Sequence, residues 1–420
     1  MKGYHHRERG IGMMFDDVVL LGGARTPFGA LGGSLARLSP TDLGILASRA
    51  ALERTDTSPG EVDQAVVANI GQASYDAYFV ARHIALYAGL PQSVPALQVQ
   101  RICASGIETI VTASEQIELA KADLVLSCGA ESMSMAPTAS FGNRMGYHLG
   151  DVVFRDMLWE ALDDTAAGTT MGGTAENVAA AYGLTRKEVD AFAFESQRRA
   201  AAAVAKGSFC DEIAPVASTT FEADGLQPRS IRVGKKGSVI MQDEHVRPTT
   251  IEGLESLPPA FSPNGVQTAG NSAGIVDGGA AVLVASGAKA RSMDRTPIAR
   301  IMGAASCGVD PKLMGIGPVP SIRLLLDLAG LSIDDIDLFE INEAFAAQVI
   351  ASERLLGIDH GRVNINGGAV ALGHPLAATG VRLALTIART LKERNARYGI
   401  VSACIGGGQG TAMLVENPVM

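Results

Sequence analysis

The segment Val99-Gln-Arg-Ile-Cys103-Ala-Ser-Gly106 places a cysteine between an apolar, strand-like run, Val94 to Ile102, and an amphipathic helical run, Ile107 to Ala120. A thiol at a helix N-terminus faces the unpaired amides of the first turn and the positive end of the macrodipole, so it is expected to ionise more readily than a free cysteine. Ser105 and Glu108 have the S-x-x-E spacing of a capping box, which starts the helix here. A thiolate attacks carbonyl carbon and leaves a thioester that exchanges readily with another thiol. Taken alone, the segment fits a small, buried, apolar cysteine equally well.

Three later segments add complementary groups. Ile341-Asn342-Glu-Ala-Phe-Ala-Ala-Gln348 carries an uncharged amide beside an acid, although Asn342 alone is an ordinary turn or cap residue. Asn366-Gly-Gly-Ala-Val-Ala-Leu-Gly373-His374-Pro375-Leu-Ala-Ala-Thr-Gly380 sets a histidine between two flexible turns just before a long helix; the bland reading is a histidine packed in a Gly-Pro turn. Ser402-Ala-Cys404-Ile-Gly406-Gly-Gly-Gln-Gly410 puts a second cysteine at a strand end, before glycines whose turn exposes backbone N–H groups. An inert buried thiol is the bland alternative for Cys404.

In this combination and order the segments resemble the thiolase family, acetyl-CoA C-acyltransferases that make or cleave 3-ketoacyl-CoA thioesters. The resemblance runs from about Val18 to Glu416 and takes in Arg25-Thr-Pro-Phe28, Glu131-Ser-Met-Ser-Met-Ala-Pro137, Met171-Gly-Gly-Thr-Ala-Glu-Asn177, Gln242-Asp-Glu-His-Val-Arg-Pro248 and Thr268-Ala-Gly-Asn271. It implies an α/β fold of thiolase type: two similar halves stacked in five αβαβα layers, with a loop domain inserted in the first half. It implies an acyl-cysteine mechanism, with Cys103 as nucleophile and His374 as its base. Cys404 would move the acetyl α-proton. The amides of Cys103 and Gly406 would hold one oxyanion, and His374 with Asn342, through a water, the other. Two sulfurs in one pocket divide such roles when local dipoles separate their pKa values.

Coenzyme A is the co-substrate the resemblance implies, with no permanently bound cofactor. Arg247 matches an arginine near the adenine end, although its charged run also reads as a solvated loop. Phe261 and Phe345 match residues lining the pantetheine and acyl channel, which core packing would also explain, and Met171 belongs to the same set. Asn271-Ser272-Ala273-Gly274 stands where Asn-Ala-Ser-Gly is usual, so the pantetheine contact falls to Ser272 or Ala273. Thr170 replaces a histidine common in short-chain members, and Ala104 and Ala377 replace glycines. Single methyl groups at packed turns shift acyl preference or rate without removing the nucleophile.

The elements that must position these residues read as strands alternating with helices. The first part has strands at Val18–Leu21, Asp63–Asn69, Val94–Ile102 and Leu124–Cys128, and helices at Thr41–Glu53 and Phe79–Ala88. That alternation predicts a parallel sheet covered on both faces. From about Ser132 to Gly274 methionine, proline and charge rise, with helices predicted at Ala175–Tyr182 and Arg186–Lys206 and a hairpin at Ser230–Ile240. A strand returns at Ala280–Ala285. Strands at Ala299–Ala305, Leu338–Asn342, Val363–Asn366 and Gly399–Ala403, with helices at Pro320–Ala329, Glu343–Leu356 and Ala377–Arg394, repeat the opening order. Cys103 and His374 each precede the helix linking two strands of their half, which suggests an internal duplication. The expected organisation is an N-terminal extension (1–15), an N-terminal half (16–132 plus 276–296), an inserted loop domain for substrate binding and oligomer contacts (133–275) and a C-terminal half (297–420).

The chain of 420 residues exceeds one ordinary core. Its formal charge of -9 argues against a general nucleic-acid binder while allowing a local basic pocket. Five widely spaced cysteines without a C-x-x-C pair suggest neither a zinc site nor a disulfide scaffold, and a reducing cytosol is expected. No metal and no membrane span are expected, and the resemblance implies a homotetramer built as a dimer of dimers. Two alternatives stand beside a thiolase. A ketoacyl synthase-like condensing enzyme uses one cysteine with two histidines, against which Cys404 and Asn342-Glu-Ala-Phe345 speak. A CoA-ester-binding subunit that has lost turnover would lack thioester formation on Cys103.

Overall fold

In the computed structural model, residues 3–6, 10–147, 149–235 and 237–419 are described, with backbone alone for 3–6. The first half comprises β1 (Gly10–Arg25), α1 (Pro40–Arg54), β2 (Gln64–Ala68), α2 (Val80–Tyr87), β3 (Ala96–Val99), α3 (Ser105–Glu118) and β4 (Leu124–Glu131). An excursion follows, carrying α4 (Met171–Ala181) and α5 (Arg186–Lys206), before β5 (Val276–Ser286) closes the half. The second half runs through β6 (Ala299–Gly308), α6 (Pro318–Ala329), β7 (Leu338–Ile341), α7 (Ala346–Leu356), α8 (Leu376–Arg394), β8 (Tyr398–Ile405) and β9 (Gln409–Glu416).

Strand order shows the duplication that residue identity obscures. The first half reads β3-β2-β4-β5-β1 and the second β7-β8-β9-β6, with Val363 bridging Phe339 in parallel where the missing fifth strand would lie. The halves join edge to edge through antiparallel β1 and β6. β1 is one continuous strand, so residues 11–14 pair with β6, 18–20 with β6 on one side and β5 on the other, and 22–25 with β5. The sheet is mixed rather than all parallel: β5 and β9 run against their neighbours. β9 follows β8 after the short glycine turn 406–408, and a connection without a crossover leaves an antiparallel hairpin as the available pairing.

Alternating burial along the strands assembles the five layers. Val18, Leu20, Val282 and Val284 point inward with Val401, Ala403, Met413 and Val415, onto a middle layer made by α3 (Ile107, Ile110, Ala113) and α8 (Val381, Ala384, Ile387). The intervening residues Val19, Leu21, Ala281 and Leu283 face α1 and α2 on one outer side. Ile400, Ala412 and Leu414 face α6 and α7 on the other. α8 packs backbone to backbone on both β4 and α3: a Cβ at Gly129 of β4 would lie 1.9 Å from the Ala377 carbonyl oxygen and one at Gly106 of α3 2.6 Å from it. We expect Gly129→Ala to cost about 3 kcal/mol, the upper end of ordinary overpacking, because the obstacle is main chain. A thermal melt against the wild type checks this.

In the excursion α5 has the predicted bounds, fixed by a capping box between Thr185 and Glu188 and by Gly207 in the left-handed conformation. The predicted hairpin at 230–240 does not form. Arg229–Ile231 pairs with Thr219–Phe221 and Val239–Ile240 with Val216–Ala217, so the two segments have different partners and do not pair with each other. Ser218 Oγ accepts the Val233 amide at 3.0 Å. Among the described residues no helix is long and apolar enough to cross a membrane.

Candidate active site

Cys103 lies in the tight turn Ile102–Ala104 that feeds α3. The turn is strained: Ile102, a β-branched residue, has φ +43. Ser105 does not cap the helix, since it is already the first helical residue. Its Oγ accepts the Arg101 amide and donates to the Ile102 carbonyl, both at 2.7 Å, while Glu108 accepts from Arg101 Nε at 2.6 Å. The predicted capping box is thus replaced by a clasp around the cysteine turn. The Cys103 side chain is buried; the backbone N–H groups of Cys103 and Gly406 favour its thiolate, but burial outweighs them and pushes the thiol up to about 11. The expectation of a readily ionised thiol is therefore corrected: the sulfur rests as a neutral S–H.

Gly406 owes its position to the turn between β8 and β9, where Gly407 and Gly408 have φ +86 and +82, a consecutive left-handed pair suited to glycine. A side chain at 406 would meet Met171 Sδ at 3.2 Å. Cys404, two residues earlier on β8, is fully buried with Phe345, Met314 and Ala344, against Met171 and Phe261. Burial, and secondarily the negative charge Cys103 carries when it ionises, raise its thiol well above the usual range.

His374 precedes α8 and is anchored by its own amide donating to the Gly274 carbonyl at 2.9 Å. Its Nε2 lies 3.3 Å from Asn342 Nδ2 and its Nδ1 2.6 Å from Thr379 Oγ1, whose hydroxyl reaches the Pro375 carbonyl at 3.1 Å. An amide nitrogen donates, so Nε2 accepts and the ring proton sits on Nδ1, given to Thr379. The chain Asn342→His374→Thr379→Pro375 fixes the tautomer whose one lone pair lies at Nε2, where Asn342 holds it. Burial, and then the positive guanidinium of Arg382, depress the imidazole to about 3. Arg382 is itself buried with Glu340 at 2.9 Å, and burial pushes that carboxyl up to about 8.

Thr379 and Arg382 were not singled out from the sequence. The signal for Thr379 was its place one helical turn after Pro375, within reach of a ring at the helix start. Thr379→Val removes the acceptor from Nδ1–H and is expected to lower kcat about tenfold with KM little changed, the loss of one buried partner being worth about 1–3 kcal/mol. Steady-state kinetics measures it.

The residues proposed for coenzyme A divide into two groups. Phe261 and Phe345 meet edge to face with centroids 5.9 Å apart, next to Met171 and Cys404, forming an apolar wall beside the sulfurs. Ala273 donates its amide to Ala344 at 3.0 Å and Ser272 pairs with Phe345, so this strand is tied to the Asn342–Phe345 segment. The Ser272 hydroxyl is buried and donates to the Thr268 carbonyl at 2.7 Å. Arg247 stands exposed, outside the buried cluster. Thr170 is the N-cap of α4, its Oγ1 accepting the Gly173 amide at 3.1 Å, and the Ala104 methyl is buried in the middle layer. Among the described residues no group of three or more His, Cys, Asp or Glu side chains is arranged to hold a metal ion.

Residues 18–288 match the family described as thiolase, N-terminal domain, and residues 295–417 match thiolase, C-terminal domain. The chain is 44% identical over 403 residues to the mitochondrial 3-ketoacyl-CoA thiolase of Homo sapiens, covering 95% of this chain and 98% of that protein. It is 41% identical over 402 residues to the acetyl-CoA acetyltransferase of Cupriavidus necator, covering 95% and 99%. The crystal structure of human mitochondrial 3-ketoacyl-CoA thiolase in complex with CoA superposes with a TM-score of 0.90 at 43% identity, over 96% of this chain and 98% of that one. Acetyl-CoA acetyltransferase from Syntrophomonas wolfei gives 0.89 at 37% identity, over 96% and 100%. With both family domains in sequence, the full-length likeness and the five-layered duplicated fold, this chain belongs to the thiolase family.

Proposed function

We propose that the chain cleaves 3-ketoacyl-CoA with coenzyme A to acetyl-CoA and a shortened acyl-CoA, and runs the reverse Claisen condensation, through an acyl group on Cys103. The observation that carries this reading is that Gly406 lies against both Ile102 of the Cys103 turn and Met171 of the apolar wall around Cys404, which brings the two thiols and a backbone amide to one place. The neutral pair of thiol and imidazole means that the proton moves as the sulfur attacks: His374 Nε2 takes it while a C–S bond forms at the 3-keto carbon. The ketone oxygen becomes an oxyanion in reach of the Cys103 and Gly406 amides, donors worth a few kcal/mol each when preorganised. The carbon–carbon bond then breaks, the acetyl-CoA enolate takes a proton at carbon from Cys404, and its thioester oxygen lies toward Asn342 and His374. Coenzyme A attacks the acyl-cysteine carbonyl, its thiol proton passes to the Cys404 thiolate, and the departing Cys103 thiolate takes back the proton held by His374.

Coenzyme A as co-substrate is supported by the CoA complex of the human relative. We place its pantetheine along Phe261, Phe345, Met171 and the Ser272–Ala273 strand and its adenine end toward Arg247. Assembly as a dimer of dimers is supported by apolar side chains left exposed at Tyr75, Tyr78 and Phe79 and again at Phe141, Met145, Leu149, Val153 and Phe154. Five free cysteines favour a reducing compartment such as the cytosol.

The deciding experiment is absorbance-monitored thiolysis of 3-ketoacyl-CoA substrates from four to sixteen carbons. Turnover peaking at one chain length establishes the activity and names the acyl class. Normal CoA-ester binding with no turnover at any length moves the protein to a binding subunit.

A further inference from the structure

Glu131 ends β4 at the point where the two halves meet, and its side chain is buried with no cation beside it among the described residues. Four N–H donors surround its carboxyl group. Asn69 Nδ2 at 3.0 Å and the Gly71 amide at 2.9 Å donate to Oε1, while the Ile70 amide at 3.2 Å and the Ala377 amide at 3.3 Å donate to Oε2. Three of these come from the loop after β2 in the first half. The fourth is the first-turn amide of α8, three residues beyond His374. α8 has Pro375 at its N-cap position and no side-chain cap of its own, so Glu131 supplies from the other half the acceptor and negative charge that a helix N-terminus favours.

When charged, Glu131 also holds the Cys103 thiol toward its protonated form, behind the larger influences of burial and the backbone amides. Burial in turn lifts the Glu131 carboxyl to about 7 against the pull of its four donors.

We propose that Glu131 is a positioning residue for the reaction: its carboxyl group locks the Asn69–Gly71 loop to the His374-bearing end of α8. The proposal takes Cys103 as the nucleophile from the function above, but the thiol can be read without that function.

The test measures steady-state thiolysis by Glu131→Gln and Glu131→Asp in the full-length protein, beside carbamoylmethylation of the Cys103 peptide followed by mass spectrometry. Glu131→Gln turns one acceptor oxygen into an N–H donor facing two amides, so kcat falls about tenfold while KM stays within about twofold. Glu131→Asp keeps both acceptors but withdraws them by one methylene, so its kcat lies between those of wild type and Glu131→Gln. A folded Glu131→Gln with wild-type kcat, or one whose loss is in KM instead, overturns the proposal. If that variant does not fold, Glu131→Asp with wild-type kcat overturns it instead. A wild-type chain that alkylates at Cys103 but performs no thiolysis defeats the function; the alkylation rates of the variants, which coincide with wild type only if Glu131 positions nothing, then decide the proposal.

Discussion

Cys103→Ser is expected to lower thiolysis by about 10⁴-fold or more while CoA-ester binding is kept. The seryl hydroxyl fits the same turn, so the clasp of Ser105, Arg101 and Glu108 and the two amides from Cys103 and Gly406 remain in place. What is lost is a polarisable nucleophile whose acyl product is a thioester. Two readouts check it: steady-state thiolysis and intact mass after a pulse of 3-ketoacyl-CoA without coenzyme A. Wild type gains an acyl group and the variant does not. An acylated Cys103→Ser protein, or one with turnover within about tenfold of wild type, would falsify the assignment of the nucleophile.

His374→Gln is expected to cost about 10³-fold in kcat, within the range for loss of a positioned base. Glutamine preserves hydrogen bonding to Asn342 or Thr379 but offers no basic nitrogen. The same structure fixes the pH behaviour. With the imidazole held at about 3 by burial and by Arg382, His374 stays neutral as pH falls from about 8 to about 5, so its protonation contributes no loss of rate in that window. Selective labelling of the seven histidines would show the His374 ring signal unmoved across the window. A ring that titrates near the ordinary histidine value would show that the site is wetter or that Arg382 acts on it less.

The sequence made the order of elements and the four reactive side chains legible because both are written locally. Helix 186–206 is announced at both ends by Thr185, Glu188 and Gly207, and its bounds were read without error. The cysteines, His374 and Asn342 stand in segments whose residue order is distinctive. Their electrostatics were not legible. A helix N-terminus was expected to ionise Cys103, but the desolvation of that sulfur by Met133, Leu376 and their neighbours comes from segments far apart in the chain. The hairpin at 230–240 failed for the same reason: its true partners at 216–221 lie upstream, and period-two patterning does not name a partner. Thr379 and Glu131 were passed over because a hydroxyl within a helix and an acid at a strand end have no local mark of what they will meet.

β1 carries a consequence for how the protein is made. Val18, Val19 and Leu20 find their β6 partners, Ile301, Arg300 and Ala299, only after most of the chain has left the ribosome. At roughly 5–20 residues per second, the stretch between residues 20 and 299 takes about 15–55 s to synthesise. Throughout that interval the β6-facing edge of an apolar strand stands open to other nascent chains, and its β5-facing edge stays open for nearly as long. Newly made protein is therefore expected to lean on a holdase, and its yield to improve when translation is slowed at low temperature or chaperones are supplied, even though the finished fold leaves that edge fully paired.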